Sequence, residues 1–332
     1  MFTLCSSTQA MQDALPLLLE AQYLLVDFEG RLLGCENGAL SLISIGTRTS
    51  ASDSGVQVFL FDVLSLSKEA LQPLLEILTN ETTTKYFWDC RKDDLELRRT
   101  FGTSFSRAAT IDLQLVDILS RESSGETEIM RLQRMTRRGH AVHALRQLPT
   151  QDVHALISLK NAPSEHRIGP VRPEKHDPDG ASHDAWMMRP LPQANLDYAE
   201  EDIRLLAQMY AHFDAKGYLE PRDELVQKTA RFLCLHPVPI PIGDVYRSSD
   251  LLPLEVLSER REDDAVYPCK GCSRMLSRGS FVHDRGGRDG RVRRKPWCKV
   301  CNILRIRQAL LETGGPTIAN IAEKGDVTVS QE

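Results

Sequence analysis

A chain of 332 residues, 41% hydrophobic, has room for one large domain and a small one around a proper core. It lacks the roughly 20 uninterrupted apolar residues of a membrane-spanning helix and any basic segment ahead of an apolar one at its N-terminus, so a soluble intracellular protein, nuclear or cytoplasmic, with no membrane partner is expected. The formal charge of −5 hides an asymmetry: residues 269–307 carry 12 Lys/Arg against Asp284 and Asp289, a local balance of +10 that leaves −15 for the remainder. An acidic body with a basic appendage fits a polyanionic ligand.

In chain order, Ala14–Leu19 is closed by Glu20 and reads as an amphipathic helix packed on the first strand. Leu24–Val26, Ala39–Gly46 and Val56–Val63 read as strands separated by Gly, Asn, Ser and Asp turn signals, able to pair as a meander. A helical pattern over Lys68–Leu78, a strand at Lys85–Trp88, a helix over Asp93–Phe101 and Ile111–Leu113 leading into another helix follow. This order predicts an α/β fold, a mixed sheet with helices on its faces. A dinucleotide-binding fold is disfavoured because no Gly-x-Gly-x-x-Gly follows a strand. Further on, helices are expected around Arg131–Arg146 and Gln151–Leu159, and the Pro/His/Asp-rich Ala162–Ser182 reads as a loop ordered on binding or a disordered insertion. Apolar residues return at helical spacing over Asn195–Ala215, with Leu196, Ala199, Ile203, Leu206, Ala207 and Tyr210 on one face. Pro237–Pro241 then reads as a link to the cysteine-bearing segment.

The chemistry starts at Asp27-Phe28-Glu29, the end of the apolar run Tyr23–Val26. Acids two apart on a strand share a face, and their repulsion and desolvation ask for a cation, hydrogen bonds or solvent. Asp93-Asp94 and Glu200-Glu201-Asp202 lie at the edges of predicted elements and extend this to an oxygen-ligated metal site. Tyr198 and Asp202, four apart on a helix, share a face on which the phenol can hold a water beside a metal ligand. Glu200 and Glu201 also read as first-turn acids favourable to the helix dipole. Asp89 and Asp112 read as hydrogen-bonding groups at sheet ends.

At these residues the chain resembles the DEDD superfamily of exonucleases. Val26-Asp27-Phe28-Glu29-Gly30, Asp93 followed by Leu97 and Phe101-Gly102, and Tyr198-Ala199-Glu200-Glu201-Asp202 look like its three motifs, the tyrosine marking the DEDDy branch. Trp186 with Arg189-Pro190-Leu191 resembles the approach to the third motif in ribonuclease D relatives, and Trp88–Asp93 looks closer to eukaryotic 3′–5′ exonuclease domain proteins. The resemblance covers about residues 10–216, with 121–184 matching poorly. It implies a ribonuclease H-like fold and two divalent ions, magnesium or manganese, acting on a 3′ end. Asp27, Glu29, Asp93 and Asp202 would be the metal-binding carboxylates, and Tyr198 would orient the attacking water. Asp93 is preferred to Asp94 because its distance to Phe101-Gly102 matches the family pattern; Asp94 is then its solvated neighbour.

Cys269-x-x-Cys272 and Cys298-x-x-Cys301 have the spacing of two thiolate knuckles gripping one structural zinc, with Gly279, Gly286, Gly287 and Gly290 supplying hairpin turns between them. The other cysteines are scattered, so an extracellular disulfide framework is not indicated. A redox pair is disfavoured because no strand and helix surround either knuckle. Arg285, Arg288, Arg291, Arg293, Arg294 and Lys295 fill the intervening loop with Trp297 beside it. They suit phosphate binding with a base stacked on the indole, or else a solvated basic loop or a localisation signal.

The expected domains are an exonuclease domain over 1–220 with 121–184 as a partly flexible insertion, a linker over 221–260, a zinc module over 261–312 and a tail over 313–332. The leading function is a metal-dependent 3′–5′ exonuclease acting on RNA or single-stranded DNA. The alternatives are an RNA-binding adaptor that keeps the fold without turnover, and a zinc-module interaction factor with an inert body.

Overall fold

The computed structural model describes residues 1–48, 55–136, 153–168, 183–234, 250–252, 254–259, 263–284 and 293–313. They fall into two compact units, one of residues 1–120 and 157–244, the other of 121–156 and 245–332. The stretch expected as a single insertion, 121–184, is thus shared between the units.

The first unit is a six-stranded mixed sheet flanked by helices, in the ribonuclease H-like arrangement. β1 (Phe2–Cys5), β2 (Tyr23–Arg31), β3 (Ala39–Thr47), β4 (Gln57–Asp62), β5 (Thr84–Phe87) and β6 (Thr110–Asp112) lie in the order β1–β4–β3–β2–β5–β6. The meander β2–β3–β4 is antiparallel, as expected, while β5 and β6 continue parallel from β2. β1, too short to stand out in the sequence, adds to the far edge parallel to β4.

Alternation along the strands decides which helices go where. Leu24, Val26 and Phe28 point into a core with α1 (Thr8–Leu19) and α2 (Lys68–Thr79). Met11, Ala14 and Leu18 of α1, and Leu71, Leu74, Leu75 and Leu78 of α2, form the buried helical stripes. Both helices start at a serine whose hydroxyl accepts an N–H: Ser7 from Ala10 at 3.3 Å and Ser67 from Ala70 at 3.2 Å. α3 (Arg91–Phe101) stops at Gly102, whose φ of 69° suits glycine. α4 (Leu113–Ser123) and α5 (Glu128–Thr136) follow, then β7 (His154–Ala155) and α6 (Ala162–Glu165).

The opposite face of the sheet, with Leu42, Val58 and Leu60, packs against Leu196, Ala199 and Ile203 of α7 (Gln193–Ala215). A Cβ on Gly46 of β3 would come within 2.4 Å of the Ile203 side chain, so glycine there lets α7 lie directly on the sheet. α7 follows the helix read from the sequence and begins two residues earlier.

Three expectations need correction. The helix over 151–159 is not formed among the described residues: Val153 and Ala155 are buried two apart, a strand period, and β7 pairs with β8 (Leu251–Leu252). The linker expected from 221 begins with a helix, α8 (Arg222–Leu233), because Leu225, Phe232 and Leu233 recur at helical spacing and are buried in the first unit. The acids Asp27 and Glu29 lie within β2 rather than at its end, which continues to Arg31. The expected helix over Arg131–Arg146 is described only to Thr136. Residues 169–182 of the Pro/His/Asp-rich segment, the Pro237–Pro241 link and the tail from 314 lie outside the described residues.

The second unit holds α9 (Leu254–Leu257), the hairpin β9 (Val266–Pro268) and β10 (Met275–Ser277), the pair β11 (Phe281–Asp284) and β12 (Arg293–Cys298), and α10 (Lys299–Thr313). Its small core gathers Leu132, Met135, Val153, Ala155, Leu251, Leu276, Phe281, Val300 and Ile303 around the cysteines. Gly279 lies in a short helical turn, Arg278–Ser280, ahead of β11; Gly286, Gly287 and Gly290 lie outside the described residues. Among the described residues no helix is long and apolar enough to cross a membrane.

Candidate active site

β2 carries Asp27 and Glu29 on the face turned to α7, because Phe28 between them is committed to the core on the other side. α7 brings Asp202, buried one residue before Ile203. Carboxylate oxygens of Asp27, Glu29 and Asp202 lie within 4.8 Å of one another. Three acids that close repel one another, a repulsion that a bound cation would offset, and hard oxygen ligands fit magnesium or manganese. Gly30 keeps the strand pair tight beside them: a Cβ there would sit 2.1 Å from the Ala39 carbonyl. The register shifts immediately after Glu29, leaving Ser41 as a bulge in β3.

That bulge anchors the approach to α7. Ser41 donates its hydroxyl to the Trp186 carbonyl, while the Arg189 guanidinium donates to the Ser41 carbonyl at 3.1 Å and the Trp186 carbonyl at 3.1 Å. Arg189 also donates to Asp62 at 2.8 Å, and Asp62 itself is held by the N–H groups of Leu64 and Ser65. The buried Trp186 meets Tyr198 edge-on, with ring centroids 6.1 Å apart. Arg189 and Asp62 thus position the segment that carries the phenol. Nothing in the local sequence marked Asp62 for this, since its partner is 127 residues away.

Asp93 is buried in the first turn of α3. Burial, and then the charges of Asp27 and Asp89, push its carboxyl well above the usual range, so it senses Asp27 although it stands outside the close triad. The turn leading to it is fixed by Asp112, which accepts the N–H groups of Asp89 at 3.1 Å, Cys90 at 2.8 Å and Gln114 at 2.9 Å. Burial, with Asp89 nearby, pushes Asp112 up to about 6. Asp89 adopts φ 63° and pairs with Arg91. Both acids therefore serve the hydrogen-bonding role expected of them. Glu96, fully buried one turn on, accepts from Gly34 in the β2–β3 loop at 3.3 Å and from Arg99 and Thr100, which ties that loop to α3.

Asp94 is not the solvated neighbour expected. It is fully buried and accepts from Ser104 at 2.7 Å, the Phe105 N–H at 3.1 Å and Arg107 at 3.2 Å, with Arg98 at 3.0 Å. Arg98 is a neighbour one turn along α3, but Ser104, Phe105 and Arg107 lie ten to thirteen residues on, beyond the helix and the reach of a local reading. Asp94→Ala would leave the buried Phe105 N–H unpaired and take the acid from two partly exposed arginines, costing roughly 1–3 kcal/mol, visible as a lowered denaturation midpoint. Turnover lost at unchanged stability would instead make Asp94 a ligand. Glu200 and Glu201 are not first-turn acids either, because α7 begins at Gln193; Glu200 pairs with Arg204 and the Met1 amino group.

In the second unit the sulfurs of Cys269, Cys272, Cys298 and Cys301 lie within 4.8 Å of one another. Hydrogen bonds from Cys272, Cys298 and Cys301 hold the Cys269 thiol well below its ordinary value. The Cys298 N–H donates to the same sulfur at 3.2 Å. Four convergent soft ligands fit one tetrahedral zinc. A Cβ on Gly271 would meet the Cys301 sulfur at 2.8 Å, so the knuckle needs glycine there. The second knuckle does sit at a strand-to-helix junction, from β12 into α10, contrary to expectation. Convergence of all four thiols, rather than missing local structure, is what argues against a two-cysteine redox site.

Of the basic residues singled out, Arg285, Arg288 and Arg291 lie outside the described residues. Arg293 and Lys295 are exposed on β12. Arg294 has its guanidinium 4.5 Å from the ring centroids of both Tyr267 and Phe281, and Trp297 has Arg305 4.3 Å over its ring.

A family model for 3′–5′ exonuclease matches residues 2–138, ending before α7 and its Tyr198 and Asp202. No curated protein matches the chain. Among solved structures, ribonuclease D of Trypanosoma brucei in complex with RNA U12 is 18% identical, covering 73% of this chain and 72% of that one at a TM-score of 0.50. The catalytic core of RRP6 from the same organism is 19% identical, covering 74% and 55% at 0.48. The Nibbler EXO domain of Aedes aegypti is 17% identical, covering 69% and 94% at 0.43. The chain has the fold of a ribonuclease D-type 3′–5′ exonuclease, with a C-terminal cluster of four cysteines able to chelate a metal.

Proposed function

We propose that this chain is a metal-dependent 3′–5′ exonuclease acting on RNA or single-stranded DNA. The observation that carries the reading is the convergence of Asp27, Glu29 and Asp202, from a strand and a helix far apart in sequence, into one triad of carboxylate oxygens. These acids, with Asp93 nearby, would hold two magnesium or manganese ions, which when bound supply a nucleophile from water and stabilise the leaving oxygen. The Tyr198 hydroxyl, one helical turn before Asp202, orients the attacking water, and Trp186 and the Arg189 clamp hold that phenol in place. Catalysis belongs to the first unit. The zinc module over 261–312 acts as a tether, offsetting the repulsion between an acidic body and a polyanion through Arg291, Arg293, Arg294 and Lys295, with Trp297 beside them as an aromatic contact. The RNA bound to the similarly folded ribonuclease D of Trypanosoma brucei supports RNA as a substrate.

The test is a 5′-labelled oligonucleotide with a free or a blocked 3′ end. With magnesium or manganese, stepwise shortening is expected from the free end alone, and a chelator should stop it. Matched RNA and DNA strands then resolve the sugar preference. Binding without shortening under any divalent ion would establish an adaptor in place of an enzyme.

A further inference from the structure

The basic face of the zinc module is organised by stacking rather than by charge alone. Arg293 and Lys295 flank Arg294 and are exposed, and the register of β12 with β11 is irregular from there to Cys298. Arg294 sits in the corner formed by the perpendicular rings of Tyr267 in β9 and Phe281 in β11, which links the two strand pairs and commits this arginine to the fold. Arg305 reaches across from α10 and lies over the Trp297 indole, 4.3 Å from its centroid. Gly271 packs against the same indole so closely that a Cβ would come within 2.8 Å of Cε3. The indole is therefore already engaged by Arg305 over one face and by Gly271 at Cε3, while Arg305 itself is exposed.

A guanidinium stacked on an aromatic ring has lost much of its rotamer freedom before any ligand arrives, and its N–H edge stays available for a bidentate grip on a phosphate. Arg293 and Lys295, about 7 Å apart on a strand, supply flanking charges at a spacing suited to neighbouring phosphates of one strand. We propose that Arg293, Lys295 and Arg305 form a phosphate ledge that grips the nucleic-acid backbone without reading bases, with Trp297 serving as the platform for Arg305 and not as a base-stacking surface. This rests on the tethering role assigned to the module above, revises the part played there by Trp297 and Arg294, and does not depend on turnover. It adds Arg305, which stands outside both knuckles and outside the basic loop.

Equilibrium binding of the full chain to labelled oligo-U, oligo-A and matched DNA strands, without added divalent ions and over a range of salt, tests it. Arg305→Ala should weaken binding roughly 3- to 10-fold, by a similar factor for every base, and lower the salt slope by about 1. Arg293→Ala with Lys295→Ala should do the same more strongly. Trp297→Phe, which keeps a ring under Arg305, should bind like the parent, and Trp297→Ala should behave like Arg305→Ala. Thermal melting of each variant separates a fold defect from a lost contact. The ledge is overturned if Arg305→Ala binds like the parent, if Trp297→Phe changes preference among the homopolymers, or if a poly-glutamate peptide competes as well as RNA. Parent protein that binds no oligonucleotide overturns the ledge while leaving 3′-end shortening to be judged separately; a catalytically silent chain that binds with these signatures keeps the ledge and loses the enzyme.

Discussion

Asp27→Asn and Asp202→Asn are each expected to lower 3′–5′ turnover by at least about 10³-fold, the scale on which loss of a single essential catalytic group acts. The two acids reach the triad from different elements, so the shared loss would tie β2 and α7 to one centre. The carboxamide is nearly isosteric, and it removes one of three mutually repelling charges in a cluster within 4.8 Å, so each variant should be as stable as the parent without metal, or more so. Loss of activity with undiminished folding therefore separates a ligand from a structural acid, the opposite of the behaviour expected at Asp94. Raising manganese should recover part of the activity of Asp202→Asn if the defect is in holding an ion. Turnover unchanged in both variants would remove the carboxylate triad from the mechanism.

The second large effect is expected at the cysteines. The core of the second unit around them is small, and binding of a structural zinc contributes roughly 10–16 kcal/mol to folding in minimal modules. Cys269→Ser combined with Cys298→Ser removes one ligand from each knuckle of the four-sulfur cluster. One bound zinc per chain should fall to none, and residues 263–313 should become open to proteolysis. The first unit has its own cores, which share no residue with the cysteine cluster, and should keep its melting transition. Zinc content unchanged in the double variant would overturn the assignment of these four ligands.

Much of this was legible in the chain because it is local. The alternation of Leu24, Val26 and Phe28 against Leu25, Asp27 and Glu29 follows from strand geometry alone, and the 3.6-residue stripe of the Asn195 helix is equally self-contained. Cysteine spacing likewise carries the geometry of a thiolate knuckle within four residues. Readings failed where a distant partner overruled the local pattern. Asp94 has an exposed-looking polar neighbourhood in sequence, yet Ser104, Phe105 and Arg107 fold around it from beyond the end of α3. Val153 and Ala155 pass for part of a helix until Leu251–Leu252 arrives to pair with them.

The sequence by itself determined the residue types, the strand face on which Asp27 and Glu29 lie, and the helix face shared by Tyr198 and Asp202, because those depend only on backbone periodicity. Only the tertiary structure decided that the faces meet. α7 can lie on the sheet because Gly46 leaves room for Ile203, and its approach is held by an arginine clamped to a bulged strand. It also decided that Trp297 carries Arg305 and that Arg294 is built into the fold, since packing between elements, rather than spacing along one, determines which side chains remain available to a ligand.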